Sequence, residues 1–367
     1  MWDVAVAGAG ITGLLLAREA SRLGLSVKLV EEHSEIGLPE VCDGVVSAKA
    51  LLELALVPDS CVVLNRIGRA ILHSPSGRSV EVDARGKGVL VLSRRALDRS
   101  LAEALNGVEV ELASRAELSD GMRVRGERVD ANYVVDARGI SALRSRKGIL
   151  QACKYELKCN DFEEDAIELY FDQEKTPGYF LWVIPIGRGV VRVGAAGKGI
   201  DPTQALNSFL KGRSYTLLKK ACSPIYVGGP VKRFVLKDRV LLGDAAGMTK
   251  PTTGGGIYTG GMGALMLAKV LKSRDLEAYE RDWRGKFGRE LESMLMLRRA
   301  LERLENRQID MLLGELKELL PSFSDKIDFD FHSTPILKML LSGKVVKLLA
   351  KVVGVGVVER LKSFLGF

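Results

Sequence analysis

The sequence predicts a mixed α/β protein: a parallel sheet with helices, a mixed β-sheet domain, and a helical C-terminal region. Three observations carry this prediction. The first residues follow the pattern strand, glycine turn, helix, strand, and short apolar strands separated by turn residues fill much of the middle. Helical periodicity dominates from Ala264 onward. The chain of 367 residues is long enough for two or three domains.

The N-terminal element is a βαβ unit with a glycine-rich turn, Gly8-Ala9-Gly10-Ile11-Thr12-Gly13. In this pattern Gly8 allows the tight turn, Gly10 lets a pyrophosphate approach the backbone, and Gly13 lets the helix pack closely on the strand. The helix N-terminus favours phosphate, and Glu31 after the second strand can accept hydrogen bonds from a ribose. The unit predicts a Rossmann-like dinucleotide site, from which the Glu31 carboxylate repels the 2′-phosphate of NADP.

A second glycine-rich segment follows the last predicted strand, Val240 to Leu242. Asp244 stands directly after this strand, at the mouth of a sheet, where ligand hydroxyls can bond it. Farther on, Gly256 and Ile257 offer bare backbone amides at a helix start. A helix N-cap followed by a loop is the alternative. Together with the first motif, the segment predicts one FAD, with adenosine held near Gly8 and the ribityl chain and flavin near Asp244.

Motifs typical of a nucleotide-binding domain occur in three separated segments of the chain. We therefore expect this domain to be discontinuous in the sequence. The predicted boundaries are 1–48, 85–150 and 235–275 for the FAD-binding domain, 49–84 and 151–234 for a β-rich substrate domain, and 276–367 for the helical region.

Charge and rare residues restrict the function further. Lys and Arg number 54 against 46 Asp and Glu, a net charge of +8, which permits nucleic acid, an anionic membrane or a phosphate ligand. No basic run with interleaved aromatics is present, so nucleic-acid binding is not predicted. The three histidines lie away from any cysteine pair, so no metal site is predicted. Five scattered cysteines argue against a secreted disulfide scaffold, and we interpret Cys153 and Cys159 as free thiols.

The location predicted from the sequence is cytoplasmic. No signal peptide precedes the first strand, and no apolar run is long enough to span a bilayer. The stretch from Leu337 to Phe367 has a basic amphipathic pattern, with Lys344, Lys347, Lys351 and Lys362 on one helical face. Two interpretations stay open: peripheral contact with the cytoplasmic membrane face, or a solvated face on a packed helix.

The two glycine-rich segments together resemble the flavoprotein hydroxylase superfamily. Three segments narrow the resemblance to the geranylgeranyl reductases of the archaeal lipid pathway, the digeranylgeranylglycerophospholipid reductase-like proteins. They are a cysteine-bearing loop, an aromatic substrate motif and a helix start: Pro39-Glu40-Val41-Cys42-Asp43-Gly44-Val45-Val46-Ser47, Pro177-Gly178-Tyr179-Phe180-Leu181-Trp182-Val183-Ile184-Pro185, and Arg94-Arg95-Ala96-Leu97-Asp98-Arg99.

The resemblance implies a fold, a site and an activity. The fold is a hydroxylase-type FAD domain with a mixed β-sheet substrate domain. The activity is reduction of geranylgeranyl double bonds in a membrane-lipid precursor by hydride from reduced FAD. Cys42 is the implied catalytic residue, and Tyr179 and Trp182 are the implied substrate residues. The FAD contacts implied are Thr12, Glu31, Cys42, Asp43, Arg94, Ala116, Asp244, Gly256 and Ile257.

Alternatives remain for each of these residues and for the reaction. A lone cysteine such as Cys42 is often a small core residue, and aromatics such as Tyr179 and Trp182 are often core. An FAD-dependent monooxygenase, a hydroxylase or epoxidase acting on an apolar substrate, is the alternative function. The electron donor is ferredoxin-like or NAD(P)H. Arg138 stands where the superfamily usually has an acid that shapes its NADPH site, which disfavours direct NADPH use.

Overall fold

A computed structural model describes residues 1–320 and 327–341, together with 346, 350, 354, 356, 358, 359, 362 and 363. Three of the predicted amphipathic lysines, Lys344, Lys347 and Lys351, lie outside this part of the chain. The chain folds into two compact units. The first unit comprises 1–62, 92–149 and 226–291, and the second comprises 63–91, 150–225 and 292–367.

The described residues form β-strands from the N-terminus to residue 241. In chain order they are β1 (Trp2–Ala7), β2 (Val27–Val30), β3 (Val45–Ser47), β4 (Val63–Ile67), β5 (Arg69–His73), β6 (Ser79–Asp83), β7 (Val89–Leu92), β8 (Val108–Glu111), β9 (Ala116–Leu118), β10 (Met122–Val124), β11 (Glu127–Val129), β12 (Ala131–Asp136), β13 (Ile149–Lys158), β14 (Ala166–Tyr170), β15 (Leu181–Gly187), β16 (Val190–Gly197), β17 (Thr216–Cys222), β18 (Ile225–Tyr226) and β19 (Val240–Leu241).

The α-helices of the same residues follow in chain order. They are α1 (Ile11–Arg22), α2 (Ala48–Glu53), α3 (Arg94–Glu103), α4 (Pro202–Leu210), α5 (Ile257–Ser273), α6 (Leu276–Leu301), α7 (Asn306–Leu319) and α8 (Ser333–Leu340). Short 3₁₀ turns occupy Gly139–Ala142 and Gly243–Ala246. None of the helices in the described part of the chain is long and apolar enough to cross a membrane.

The first unit is built on a five-stranded sheet in the order β19-β12-β1-β2-β8. All four pairings are parallel, with Val4 of β1 opposite Val27 of β2 and Tyr133 of β12. The central strand is fully buried from Val4 to Ala7, as expected for a parallel strand covered on both faces. The predicted α/β class and the N-terminal βαβ unit are therefore confirmed.

Two hydrogen bonds from buried aromatic side chains fix helix α6 in the first unit. Trp283 donates from its indole nitrogen to the Thr259 carbonyl of α5 at 2.9 Å, and the Tyr279 hydroxyl donates to the Leu241 carbonyl of β19 at 3.1 Å. Both rings are fully buried. Their polar atoms therefore keep partners while the rings fill the core, which holds α5 and the end of β19 in place.

The second unit contains a mixed sheet in the order β17-β13-β16-β15-β14-β5-β6. One face packs beneath α4, and its core includes Leu157, Val183, Val193 and Leu206. Strand side chains alternate between the two faces, so Trp182 lies on the opposite face from Val183. At the β6 end, Val80 packs with Ile309 and Leu313 of α7.

The interpretation of Cys153 as a free thiol is wrong. Cys153 is joined to Cys222 by a disulfide, because the antiparallel register of β13 and β17 places these two residues directly opposite each other. Cys159 is free, as expected, and its buried thiol donates to the Ser214 carbonyl at 3.4 Å. Cys42 and Cys61 are the other cysteines outside the disulfide.

Candidate functional site

The carboxyl ends of the parallel strands bring the sequence motifs of the first unit to one edge of the sheet. Gly8 follows β1, Glu31 follows β2, Ala137 follows β12, and the turn Gly243–Ala246 follows β19 after one residue. The strand order reverses at β1, since the chain moves from β1 to β2 on one side and later adds β12 on the other. Ligands of open α/β sheets bind at such a reversal.

The glycine turn after β1 has no room for larger residues at two of its three glycine positions. Gly8 has φ +104°, and a Cβ there would lie 2.5 Å from the Ala137 carbonyl oxygen. A Cβ on Gly13 would lie 2.0 Å from the Gly8 carbonyl oxygen. Gly10 instead faces open space, with nothing within 4 Å of a Cβ. The turn is therefore tight at Gly8 and Gly13. It is open at Gly10, where the protein backbone would contact a ligand.

The start of α1 is free to receive an anion. Gly10 caps the helix in an extended conformation and supplies no side-chain hydrogen bond to the first amides. Unpaired amides and the helix dipole together favour a phosphate at this position. The structure therefore agrees with the sequence in fitting a pyrophosphate here.

Glu31 is held against the same turn. One carboxylate oxygen accepts a hydrogen bond from the Ala9 backbone amide at 2.7 Å. The other accepts from the His33 amide at 3.1 Å and lies 2.5 Å from the His33 ring nitrogen Nδ1. The side chain is only 12% exposed. These bonds orient the carboxylate beside the glycine turn, where a ribose of a bound dinucleotide would meet it.

The second glycine-rich segment meets the first at Thr12. A Cβ on Gly243 would lie 2.7 Å from the Thr12 hydroxyl, and one on Gly260 would lie 2.8 Å from the Thr12 methyl. Gly256 caps α5 and, like Gly10, gives its helix no side-chain hydrogen bond. The two motifs, far apart in the sequence, thus form one continuous site in the first unit.

Asp244 lies beside the start of α5. A Cβ on Gly256 would be 3.0 Å from the Asp244 carboxylate oxygen, so a larger residue there would push that side chain aside by a few tenths of an ångström. Burial raises the pKa of Asp244 to about 6, although the positive charge of Arg94 opposes this increase. Ionising this buried carboxylate is therefore unfavourable unless a hydrogen-bond donor contacts it. Hydroxyl groups of a ligand can be those donors.

Cys42 is linked to the same cluster through Arg94. The Arg94 guanidinium donates to both carboxylate oxygens of Asp98, at 3.0 and 3.1 Å, and forms a further hydrogen bond with the Cys42 side chain. Burial opposes the charge of Arg94, but Asp98 and Cys42 outweigh it, so the pKa of Arg94 is raised. The Gly44 amide also donates to the Cys42 sulfur at 3.4 Å. Cys42 therefore sits in a cationic, hydrogen-bonded environment rather than in an apolar core.

Arg138 belongs to the end of β12. Its guanidinium forms a bidentate ion pair with Asp136, at 2.9 and 2.8 Å, and donates to the Ala116 carbonyl at 3.3 Å. Asp136 is almost fully buried, and this pairing raises the pKa of Arg138. Ala116 therefore contacts the strand end through its backbone. The predicted roles of Ala116, Asp43 and Ile257 as FAD contacts stay predictions.

The aromatic substrate motif lies in the second unit. A Cβ on Gly194 of β16 would be 2.2 Å from the Trp182 indole, so the ring packs directly against that glycine. Tyr179 stacks on Phe180 at 4.1 Å between ring centroids and meets Trp182 edge-on at 6.4 Å. Trp182 is 9% exposed and Tyr179 2% exposed. The three rings therefore form one compact aromatic cluster, and its role toward a substrate stays a prediction.

Two further residues of the first unit, Asp98 and Lys250, have no role predicted from the sequence. Asp98 holds Arg94 in place, and its signal is the helical spacing of four residues between them. Lys250 is 5% exposed, and its side chain lies 3.1 Å from a Cβ on Gly255. A lysine inside a glycine-rich, apolar segment is the signal that could have indicated it. Among the described residues, no cluster of His, Cys, Asp or Glu is placed to hold a metal ion.

The fold, the glycine turn and the two helix starts capped by glycine, without a side-chain hydrogen bond, define a class of protein. Residues 3–145 match the family described as FAD dependent oxidoreductase. FAD fits the residues present, because the open face at Gly10 would receive its pyrophosphate. The carboxylates of Glu31 and Asp244 would accept hydrogen bonds from its ribose and ribityl hydroxyls. The chain is an FAD-dependent oxidoreductase, as predicted.

Full-length relatives define the family within this class. Digeranylgeranylglycerophospholipid reductase 2 of Methanothermobacter thermautotrophicus is 30% identical, with 86% of this chain and 92% of the relative covered. Digeranylgeranylglycerophospholipid reductase 1 of Methanopyrus kandleri is 32% identical, with 91% and 94% covered. The chain belongs to the digeranylgeranylglycerophospholipid reductase family, which confirms the resemblance found in its motifs.

Solved structures share the fold. A geranylgeranyl bacteriochlorophyll reductase-like protein of Thermoplasma acidophilum has a TM-score of 0.82 at 23% identity, with 99% of both chains covered. The p-nitrophenol 4-monooxygenase of Pseudomonas putida has a TM-score of 0.67 at 16% identity, covering 91% of this chain and 98% of the other. At these identities the likeness concerns the fold alone.

Proposed function

We propose that this chain reduces isoprenoid double bonds of a membrane-lipid precursor, as an FAD-dependent reductase acting on a geranylgeranyl chain. The observation that carries the proposal is its family membership over nearly the whole length of reductase-named relatives. The hydrogen bond between Cys42 and Arg94, in the same unit as Asp244, supports it. The monooxygenases that share the fold are more distant.

The proposed reaction needs a hydride at one alkene carbon and a proton at the other. When bound and reduced, FAD supplies the hydride. We assign the proton to the Cys42 thiol, whose S–H bond breaks as the new C–H bond forms. The sulfur would then carry the negative charge, and the Arg94 guanidinium and the Gly44 amide are placed to stabilise it. Asp98 keeps Arg94 oriented during this transfer, and water returns the proton afterwards.

Tyr179 and Trp182 are proposed to contact the apolar chain of the substrate. Aromatic side chains provide a large contact area with few rotatable bonds, which suits a long and flexible hydrocarbon. Trp182 is fixed by contact with Gly194, so its orientation costs little to maintain on binding. We expect Trp182→Ala to keep FAD and to lower reduction, with less discrimination between the double bonds.

The electron donor is proposed to be a ferredoxin-like protein rather than NAD(P)H. The support is Arg138, which replaces the acid of the NADPH-using hydroxylases and is paired with Asp136 in a bidentate arrangement. A direct comparison of the two donors with the same enzyme tests this part. Faster flavin reduction by NADPH than by ferredoxin would contradict it.

Peripheral membrane contact is a further part of the proposal. The proposed substrate carries long apolar chains and a polar headgroup, so it resides in or near a bilayer. An enzyme that acts on it gains by binding the surface where the substrate is concentrated.

The decisive experiment is anaerobic reduction followed by mass spectrometry of an added geranylgeranyl lipid. We expect the mass to rise in steps of two hydrogens. A gain of one oxygen in air, without hydrogen addition, would establish the monooxygenase alternative. Cys42→Ser should keep bound FAD and the melting temperature yet lose most reduction. The matched variant Cys61→Ser changes another cysteine outside the disulfide and should keep activity. Unchanged activity in Cys42→Ser would make Cys42 a packing residue.

A further inference from the structure

An exposed apolar segment marks the outer edge of the second unit's sheet. We call residues 211–222, which include strand β17, the β17 edge. Tyr215 is 39% exposed, Leu217 50% and Leu218 53%. Over the described residues, this is the one place where three large exposed apolar side chains fall within four consecutive positions. Single exposed apolar residues are ordinary, but such a group marks a contact surface.

The same segment is strongly cationic. It contains Lys211, Arg213, Lys219 and Lys220 and has no Asp or Glu. Arg213 is engaged within the unit, since its guanidinium lies 4.8 Å from the Phe162 ring centroid and 4.0 Å from Asp161. The three lysines are exposed.

Two carboxylates face these lysines from neighbouring elements. Glu156 of β13 lies opposite Lys219. Asp201 caps α4, and hydrogen bonds from Thr203 together with the charge of Lys220 lower its pKa. Three exposed lysines against two carboxylates still leave the β17 edge cationic.

The backbone of the β17 edge is held firmly. β17 ends the sheet and pairs with β13 on its inner side, and the disulfide from Cys222 to Cys153 ties its last residue to that neighbour. Lys220 also lies 5.5 Å from the centre of the Tyr155 ring. The exposed side chains therefore project from a fixed strand, so binding through them orders little additional backbone.

Three explanations of this surface can be compared. Lysines on an edge strand commonly prevent pairing with another chain, but that explains only the lysines and leaves three apolar side chains in water. A second copy of this chain docked on the same edge would place two cationic segments against each other. An anionic bilayer accommodates both features, because apolar side chains enter the headgroup boundary while lysines reach lipid phosphates.

We propose that the β17 edge is a docking surface for an anionic lipid bilayer. This inference goes beyond the proposed reduction. It rests on that proposal in one respect only: a membrane-lipid substrate gives the enzyme a reason to bind a bilayer. The surface lies within the second unit and needs no residue that we assign to FAD or to the reaction. Its failure therefore leaves the reductase proposal intact.

The test is sedimentation of the FAD-loaded full chain with vesicles that contain no isoprenoid. We expect binding to phosphatidylglycerol vesicles, little binding to phosphatidylcholine vesicles, and release at 1 M salt, where charges are screened within about 3 Å. Lys219→Gln with Lys220→Gln should lower the partition coefficient roughly 30-fold, since each lysine near an anionic surface contributes about fivefold. Leu217→Ser with Leu218→Ser should also lower it.

Matched controls separate this surface from general charge and hydrophobicity. Lys269→Gln with Lys272→Gln removes the same charge from α5, and Leu52→Ser with Val57→Ser removes two side chains that are 81% and 93% exposed. Both pairs should bind like the parent, and FAD content and melting temperature confirm folding. Any of three results would overturn the proposal. The control variants could lose as much binding, or the parent could fail to bind phosphatidylglycerol vesicles. The third result is a dimer in solution that the Leu217→Ser, Leu218→Ser double variant dissociates.

Discussion

Asp244→Asn should make the FAD-free protein more stable at high pH and weaken FAD binding at the same time. Burial raises the pKa of Asp244 to about 6 from its ordinary value of 3.8. Between these two values the folded protein holds a proton that the unfolded chain releases, so stability falls as pH rises through this window. Above pH 6 the loss is complete. Asparagine has nearly the same shape and carries no charge, so it avoids the loss.

The size of the effect follows from the difference in pKa. About two pKa units at 1.36 kcal/mol each correspond to roughly 3 kcal/mol at pH 8. For a unit of this size, that corresponds to roughly 6–12 °C in melting temperature. At pH 4 most of the difference should disappear. FAD binding acts in the opposite direction, because a charged hydrogen-bond acceptor contributes roughly 1.5–3 kcal/mol, or about 10- to 100-fold in affinity. Saturating FAD should therefore reduce the stability difference at pH 8 to roughly 0–1.5 kcal/mol.

The assay is thermal unfolding of FAD-stripped wild type and Asp244→Asn from pH 4 to pH 8, followed by titration with FAD. Asp201→Asn is the matched control, because hydrogen bonds from Thr203 lower the pKa of Asp201. For that variant the sign is opposite: the stability that Asp201 contributes is present at neutral pH and is lost as pH falls. A difference between wild type and Asp244→Asn that is equal at pH 4 and pH 8 would refute the reasoning.

Three further predictions concern other parts of the molecule. Glu31→Ala removes the carboxylate beside the glycine turn and should weaken FAD binding about 10- to 100-fold, measured by flavin fluorescence; unchanged affinity would contradict its assignment. Gly194→Ala places a methyl group against Trp182 and should shift tryptophan fluorescence and lower lipid reduction while FAD content stays constant. Cys222→Ser opens a cross-link spanning 69 residues and should cost up to roughly 4 kcal/mol of stability, seen as a lower melting temperature. Five titratable thiols in unreduced, unfolded wild type, rather than three, would contradict the disulfide.

Local patterns explain what could be predicted about the cofactor and the fold. The glycine spacing from Gly8 to Gly13 reports backbone geometry that few other residues allow, and the alternating apolar runs report strands. Both are properties of neighbouring residues, so they remain readable without the rest of the molecule. The parallel sheet and the use of FAD were therefore predicted from the sequence, and both are confirmed.

Contacts between distant segments could not be predicted in the same way. Cys153 and Cys159 lie six residues apart in the sequence, and both were interpreted as free thiols. Six residues along a strand span roughly 20 Å, too far for a disulfide between these two. Only the register of β13 against β17 brings Cys222 opposite Cys153. The engagement of Arg94 with both Cys42 and Asp98 likewise depends on how α3 packs beside the cysteine loop.

The sequence by itself determined the class of cofactor, the βαβ start and the family, because each rests on short motifs whose residues are adjacent or regularly spaced. Tertiary structure alone decided that Thr12 meets Gly243, that Arg94 bonds both Cys42 and Asp98, and that the β17 edge stays exposed. The physical reason is that burial, pKa and pairing depend on which segments pack together. That packing is set by the whole core rather than by any local run of residues.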